Sequence, residues 1–205
     1  MAAGYIPVPE VALSKEHSHF MTFRVSFDLG DSDLQHLAEV AQVRQSAARA
    51  QPIDRIVASA REVYLKGMHA HLANFVKERY SRLGTMLEMA DDAEWRLGEG
   101  DSQRLVNALA CFSEPASGAS SALLDQAIMI ELVSRDLHHD LEAYQDFCKF
   151  RAAQISKRHS PPGTDREQWL SQRRQMLQKR MHKRRKRDLD AAAGPVRRLF
   201  SLFGL

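Results

Sequence analysis

The side chains with the most obvious capacity for chemistry are the paired histidines His138 and His139, which stand among the carboxylates Glu131, Asp136, Asp140 and Glu142. On a helix, His138 and Glu142 share a face at i,i+4, and His139 and Glu142 lie at i,i+3. Imidazole nitrogen beside carboxylate oxygen is the donor mixture of many divalent metal sites. His69 and His71, earlier in the chain, could approach the same face from an antiparallel neighbour. A carboxylate-bridged site in a bundle, however, draws a Glu-x-x-His pattern from each of two helices. On this helix the order is His-x-x-Glu instead. The spacing therefore predicts a solvated polar face, with side-chain pairs worth about 0.2–0.5 kcal/mol each. No cofactor and no metal site are expected, and metal-dependent activity at His138, His139 and Glu142 is the weakest functional reading.

Nucleophiles fare no better. Ser113, Ser117, Ser120 and Ser121 cluster in a small-residue stretch with no recognisable base beside them, a composition typical of turns. Cys111 and Cys148 lie in apolar helical surroundings without metal-type spacing, so buried, reduced and inert thiols are expected. The chain carries neither a glycine-rich phosphate loop nor a nucleophile elbow. These absences favour a non-enzymatic protein.

The strongest signal is basic. Arg173, Arg174, Lys179, Arg180, Lys183, Arg184, Arg185, Lys186 and Arg187 crowd one helical stretch, whose apolar positions are Trp169, Leu170, Met176, Leu177 and Met181. Residues 164–205 hold twelve Lys/Arg against four Asp/Glu, a charge of +8 that leaves −5 on residues 1–163 of this +3 chain. Such a split predicts an acidic partner for the basic segment. Three partners fit: an acidic protein surface, an anionic membrane surface and, as the alternative, nucleic acid phosphate. The last residues bear on the choice, because Leu199, Phe200 and Phe203 recur at helical spacing beside Arg197 and Arg198. An apolar tip next to a polybasic helix is a two-signal pattern for peripheral membrane attachment, and equally a docking peptide for a protein groove.

The elements that must position these groups follow from periodicity. Met21, Phe23, Val25, Phe27 and Leu29 alternate with polar residues, which predicts a half-buried strand, paired with its copy in a homodimer or running extended over the helices. Residues 1–32 form an extended N-terminal segment on this reading. Ser32-x-x-Gln35 has capping-box spacing for a helix over 33–49. A long helix over 53–90 follows Pro52, with Gly67 and Gly84 as points of kinking. Asp101 caps a third helix over 102–113, and a fourth covers 121–156. Pro161-Pro162-Gly163 stops the body, and Thr164-x-x-Glu167 opens a fifth helix over 165–191.

The segments ALACFSEP, LLDQAIMIELV and LEAYQDFCKFR resemble the YkvA-like domain family, bacterial helical proteins of unknown function. The likeness spans 28–151, from FDLGDSDLQHL through DDAEWRL to FCKFR. The family's acidic loop, of the form DPxDxIPDxxPxxGxLDD, is shortened here to Glu114-Pro115-Ala116-Ser117-Gly118-Ala119-Ser120-Ser121. Its closing acidic pair survives only as Asp125, followed by Gln126. A hard cation needs several converging oxygens, so metal binding at this loop does not carry over.

The sequence therefore predicts an all-α protein: a compact body of about four helices over 33–160, with a projecting basic helix and amphipathic tail over 164–205. No apolar run reaches the roughly 18 residues of a membrane span, and the N-terminus lacks a signal-peptide pattern. The expected place is the cytoplasm, with peripheral attachment to the inner membrane face where the basic segment meets lipid.

Overall fold

A computed structural model describes residues 30–113, 120–156 and 166–191. Within them the chain forms seven packed helices: α1 Asp31–Ala48, α2 Ile53–His69, α3 Asn74–Asp91, α4 Glu99–Ala110, α5 Ser120–Asp136, α6 His138–Ser156 and α7 Arg166–Ala191. The expected all-α class is what the protein adopts. The strand expected over Met21–Leu29, the small-residue segment 114–119 and the tail carrying Arg197, Arg198, Leu199, Phe200 and Phe203 lie outside the described residues.

Several expected boundaries move, each for a local reason. Gly30, two residues before the expected cap Ser32, starts α1: its N–H donates to the Asp33 carboxylate at 3.0 Å, and its carbonyl accepts from the N–H groups of Asp33 and Leu34. Pro52 stands just before α2 as its cap, with extended backbone, accepting from the N–H groups of Arg55 and Ile56. The expected 53–90 helix is two antiparallel helices joined through Ala70-His71-Leu72-Ala73, where Ala70 and Ala73 are extended. The three- and four-residue apolar steps run on through Leu72, Phe75 and Val76, so periodicity alone conceals the turn. Gly67 and Gly84 are points of close approach instead of kinks. Gly67 faces the Tyr80 ring and Gly84 faces the Tyr64 ring, so each helix contributes one glycine and one tyrosine to the α2–α3 seam.

The expected 121–156 helix is interrupted at Leu137 alone. Helical hydrogen bonds run from Leu137 N to Val133 O and from Leu141 N to Leu137 O, so the two halves stay nearly continuous. Carbonyls at the break find side-chain donors. His138 Nδ1 lies 2.6 Å from Arg135 O, and Arg104 Nη2 lies 3.0 Å from Asp136 O.

The core is one hydrophobic cluster centred on Tyr80, Leu83, Met86, Trp95, Leu109, Phe112, Ile130 and Phe147. It includes Leu170, Leu177 and Met181. The basic helix thus does not project: α7 lies along α6 and shares the body's core. Its inner residues Leu170, Arg174, Leu177, Met181 and Arg185 recur at steps of four, three, four and four, which place them on one face. Burying three large apolar side chains there, at about 1.5–3 kcal/mol each, outweighs the freedom a projecting helix would keep.

Candidate functional site

Helix α7 has two faces with different chemistry, and the inner one explains why the sequence overstated its free charge. Near its start it closes on the turn between α3 and α4. Arg174 Nη1 donates to Glu94 O at 2.8 Å, and Gln178 Nε2 donates to Trp95 O at 3.0 Å. Trp95 is fully buried, with the Tyr144 and Phe147 rings 5.8 and 5.2 Å from its own. Arg96, with φ of +46°, turns the chain toward α4 and pairs with Glu167 at 2.8 Å. Asp92 and Glu94 in the same turn hold Arg151 at 2.8 and 2.9 Å.

Further along, α7 enters a buried ionic cluster built from the first turn of α4 and the α5–α6 break. Arg185 reaches Asp101 at 2.6 Å and Asp140 at 3.1 Å, and His182 Nε2 lies 2.7 Å from the other Asp101 oxygen. Arg104 holds Asp136 at 2.7 Å. Asp101 is therefore not the expected helix cap. Gly98 occupies that position, and the carboxylate turns inward to meet α7. Burial pushes the Asp101 pKa up, but hydrogen bonds from Arg185 and His182 outweigh it and hold the group below its ordinary value. Asp140 keeps one oxygen without a partner among the described residues, and burial raises its pKa despite Arg185.

Asp136 is pushed up to about 6, first by burial, with Arg104, Arg185 and His138 opposing and Asp140 adding to it. Its unfolded value is near 3.9, so the folded chain binds this proton more tightly. The sign follows: Asp136 makes the fold more stable as pH falls from 7 to 5, by about 1 kcal/mol, a gain complete only below the unfolded value. Asp136→Asn removes that proton uptake. Urea denaturation of both proteins at pH 7 and pH 5 measures the effect as the difference between their pH responses. Equal responses would show that Asp136 stays ionised.

Of the expected binding residues, Arg174, Arg180, Arg184 and Arg185 are thus engaged with the body; Arg180 pairs with Asp146, and Arg184 with Glu142 at 2.9 Å. Arg173 lies over the Phe150 ring at 5.2 Å. Lys179, Lys183, Lys186 and Arg187 are exposed and make no ion pair among the described residues. They sit at i, i+4, i+7 and i+8, one stripe opposite Leu170, Leu177 and Met181, and exposed Met176 continues it toward the helix start.

The histidine face also differs from expectation. Glu142 turns to Arg184, and Asp188 from α7 takes its place beside His138 and His139. His139 Nε2 is 2.7 Å from Asp188 Oδ2, His138 Nε2 is 3.7 Å from the same atom, and the two rings lie 3.7 Å apart. His69 and His71 are exposed and do not join this group.

Cys111 is buried, and burial pushes its thiol pKa to about 12, so it stays protonated and weakly nucleophilic. Cys148 is half-buried rather than buried, and both thiols are free. Ser113 donates its hydroxyl to Ala110 O at 2.8 Å, a local turn bond. No described helix is long and apolar enough to cross a membrane.

Arg104, His182 and Asp188 are not marked as site residues by the sequence, and Asp136 and Asp140 stand out there only as carboxylates near the paired histidines. One signal was available: Asp140 falls on the same stripe as Val133, Leu137 and Tyr144, a carboxylate in an apolar row. No family model matches the chain, and neither does any curated protein or solved structure.

Proposed function

We propose that this is a non-enzymatic interaction protein that attaches to an anionic membrane surface through the outer face of α7. The observation that carries the reading is the stripe of Lys179, Lys183, Lys186 and Arg187, exposed, on one face, and not neutralised by ion pairs among the described residues. A helix of 26 residues, about 39 Å long and held flat against a folded body, presents these charges in a line. Exposed Met176 and partly exposed Trp169 border the stripe, an apolar edge suited to the lipid headgroup boundary.

Magnitude limits what the stripe does alone. Each cation near an anionic leaflet contributes about 1 kcal/mol, so four give about 4 kcal/mol, a millimolar attachment. A second anchor is needed, and the tail residues Leu199, Phe200 and Phe203 beside Arg197 and Arg198 supply the chemistry for it. The place in the cell is then the cytoplasmic face of a membrane. On the sequence motifs quoted above, the body is grouped with the YkvA-like helical proteins, a grouping that brings no activity with it.

The test is sedimentation of the full chain with phosphatidylserine-containing vesicles, neutral vesicles and, separately, plain DNA duplex, each across a salt series. Binding to the anionic vesicles is expected, weakening with salt. Replacing Lys179, Lys183, Lys186 and Arg187 together by glutamine should reduce it about 100-fold or more. Equal binding to neutral vesicles, or no loss in the quadruple variant, would sink the proposal. Tighter binding to duplex, with a steep salt slope, would replace it with the nucleic-acid reading.

A further inference from the structure

We propose that His138, His139 and Asp188 form a binding site for a zinc-class divalent cation that ties the end of α7 to the start of α6. The inference is independent of what the outer face of α7 binds. The three ligand atoms lie within 4.8 Å of one another, contributed by adjacent residues at the α5–α6 break and by a carboxylate from a helix 49 positions away from His139 in sequence.

The tautomer of His138 points to a ligand. Its Nδ1 lies 2.6 Å from Arg135 O, and a carbonyl can only accept, so Nδ1 carries the proton. The neutral ring therefore offers a lone pair at Nε2, the atom that faces Asp188. A ligating histidine commonly donates its other N–H to a carbonyl in this way, which fixes the ring and raises the basicity of the donor nitrogen. The interruption at Leu137 supplies this arrangement, because it places the Arg135 carbonyl within reach of His138 Nδ1.

The separations fit an ion of this class. Around a tetrahedral centre with bonds of about 2.0–2.1 Å, neighbouring ligand atoms stand about 3.3 Å apart. The Asp188 oxygen is 2.7 Å from His139 Nε2 and 3.7 Å from His138 Nε2, values that bracket that spacing. An adjustment of about half an ångström in side chains that are partly exposed would bring both to it. Binding requires the His139 proton shared with Asp188 to move to Nδ1, so that Nε2 offers its lone pair to the metal; Nδ1 has no hydrogen-bond partner among the described residues and is open to that proton.

Two imidazole nitrogens and one carboxylate oxygen suit zinc, cobalt or nickel better than magnesium or calcium, which prefer all-oxygen shells. Three protein ligands leave a fourth position for water or for a donor from a bound partner. Electrostatics partly oppose the site: α6 begins here with the positive end of its dipole, and Arg187 stands next to Asp188. The Asp136 carboxylate, close enough to His138 for mutual charge interaction, works the other way.

The experiment is Co2+ titration of the full chain followed by visible absorption, with Zn2+ competition and thermal melts with and without Zn2+. One equivalent of Co2+ is expected to give a d–d band that Zn2+ displaces, and Zn2+ should raise the melting temperature. Asp188→Asn, a mild change at an exposed position, should weaken the affinity about tenfold or more, and His138→Ala/His139→Ala should abolish the band. His69→Ala/His71→Ala should leave it intact. No band in the wild-type protein would overturn the proposal. So would a band kept by Asp188→Asn at unchanged affinity, or one lost in the His69/His71 variant. Circular dichroism of each variant separates loss of the site from loss of the fold.

Discussion

Replacing Arg185 by methionine lowers the stability of the folded chain by about 3–5 kcal/mol, while Lys183→Met, two residues away, changes it by less than about 0.5 kcal/mol. The two positions carry the same charge on the same helix. Arg185 keeps only 19% of its side-chain surface exposed and serves Asp101 and Asp140, which are 9% and 4% exposed. Methionine fills much of the volume but leaves two buried carboxylates facing each other without their shared cation. Asp140 already has one oxygen unpartnered among the described residues and a raised pKa, so it takes up a proton first. Relief by protonation has a consequence for pH: the loss measured by urea denaturation should be smaller at pH 5 than at pH 7. Asp140→Asn placed on Arg185→Met removes the unpaired charge and should recover more than half of the loss. A double variant as unstable as the single one would show that the ionic cluster does not hold α7. Hydrogen exchange along α7 gives a local check, because its amides should open well before those of α3 in the Arg185 variant.

The same contrast shows what was legible from sequence and what was not. Helical periodicity identified the all-α class, the apolar stripes and the existence of the basic helix, since these depend on residues close together in the chain. It could not tell an arginine that faces water from one that faces a carboxylate 84 residues away, as Arg185 and Asp101 do. Apolar content was the misleading cue: α7 buries only Leu170, Leu177 and Met181, which resembles a thin, projecting helix. Arg174 and Arg185 complete its inner face, and a charged residue counts as exterior in any hydropathy reading. His138 and His139 were visible as potential ligands. Their third neighbour was misassigned to Glu142, which shares their helix, because Asp188 meets them only through tertiary packing. Turns marked by no proline or glycine, as at 70–73 and at Leu137, were invisible for a related reason. The apolar register continues across them, and only the packing of the two halves requires the chain to bend.

The α2–α3 turn leads to the second large effect. Gly67→Ala is expected to destabilise the protein by about 2–3 kcal/mol, although alanine is the better helix former by up to about 1 kcal/mol. A Cβ at Gly67 would stand 2.1 Å from Cδ1 of Tyr80 and 2.5 Å from its Cγ, within the body of the ring and not at a movable tip. The ring has nowhere to go. Tyr80 is fully buried, and its hydroxyl donates to Leu123 O at 3.1 Å or Gln126 Oε1 at 3.0 Å, which pins it against α5. Burial pushes the phenol pKa to about 12, so it remains a donor at any ordinary pH. Either the helices separate or these bonds break, and each route outweighs the propensity gain. A double-mutant cycle distinguishes this account from a general intolerance of α2. In a Tyr80→Ala background, itself costly through the cavity it leaves, Gly67→Ala has room and should become neutral or stabilising by up to about 1 kcal/mol. The sign of the substitution reverses with the presence of one ring, and denaturant midpoints of the four proteins read it directly. If Gly67→Ala costs the same in both backgrounds, glycine is required there for some reason other than the approach of Tyr80.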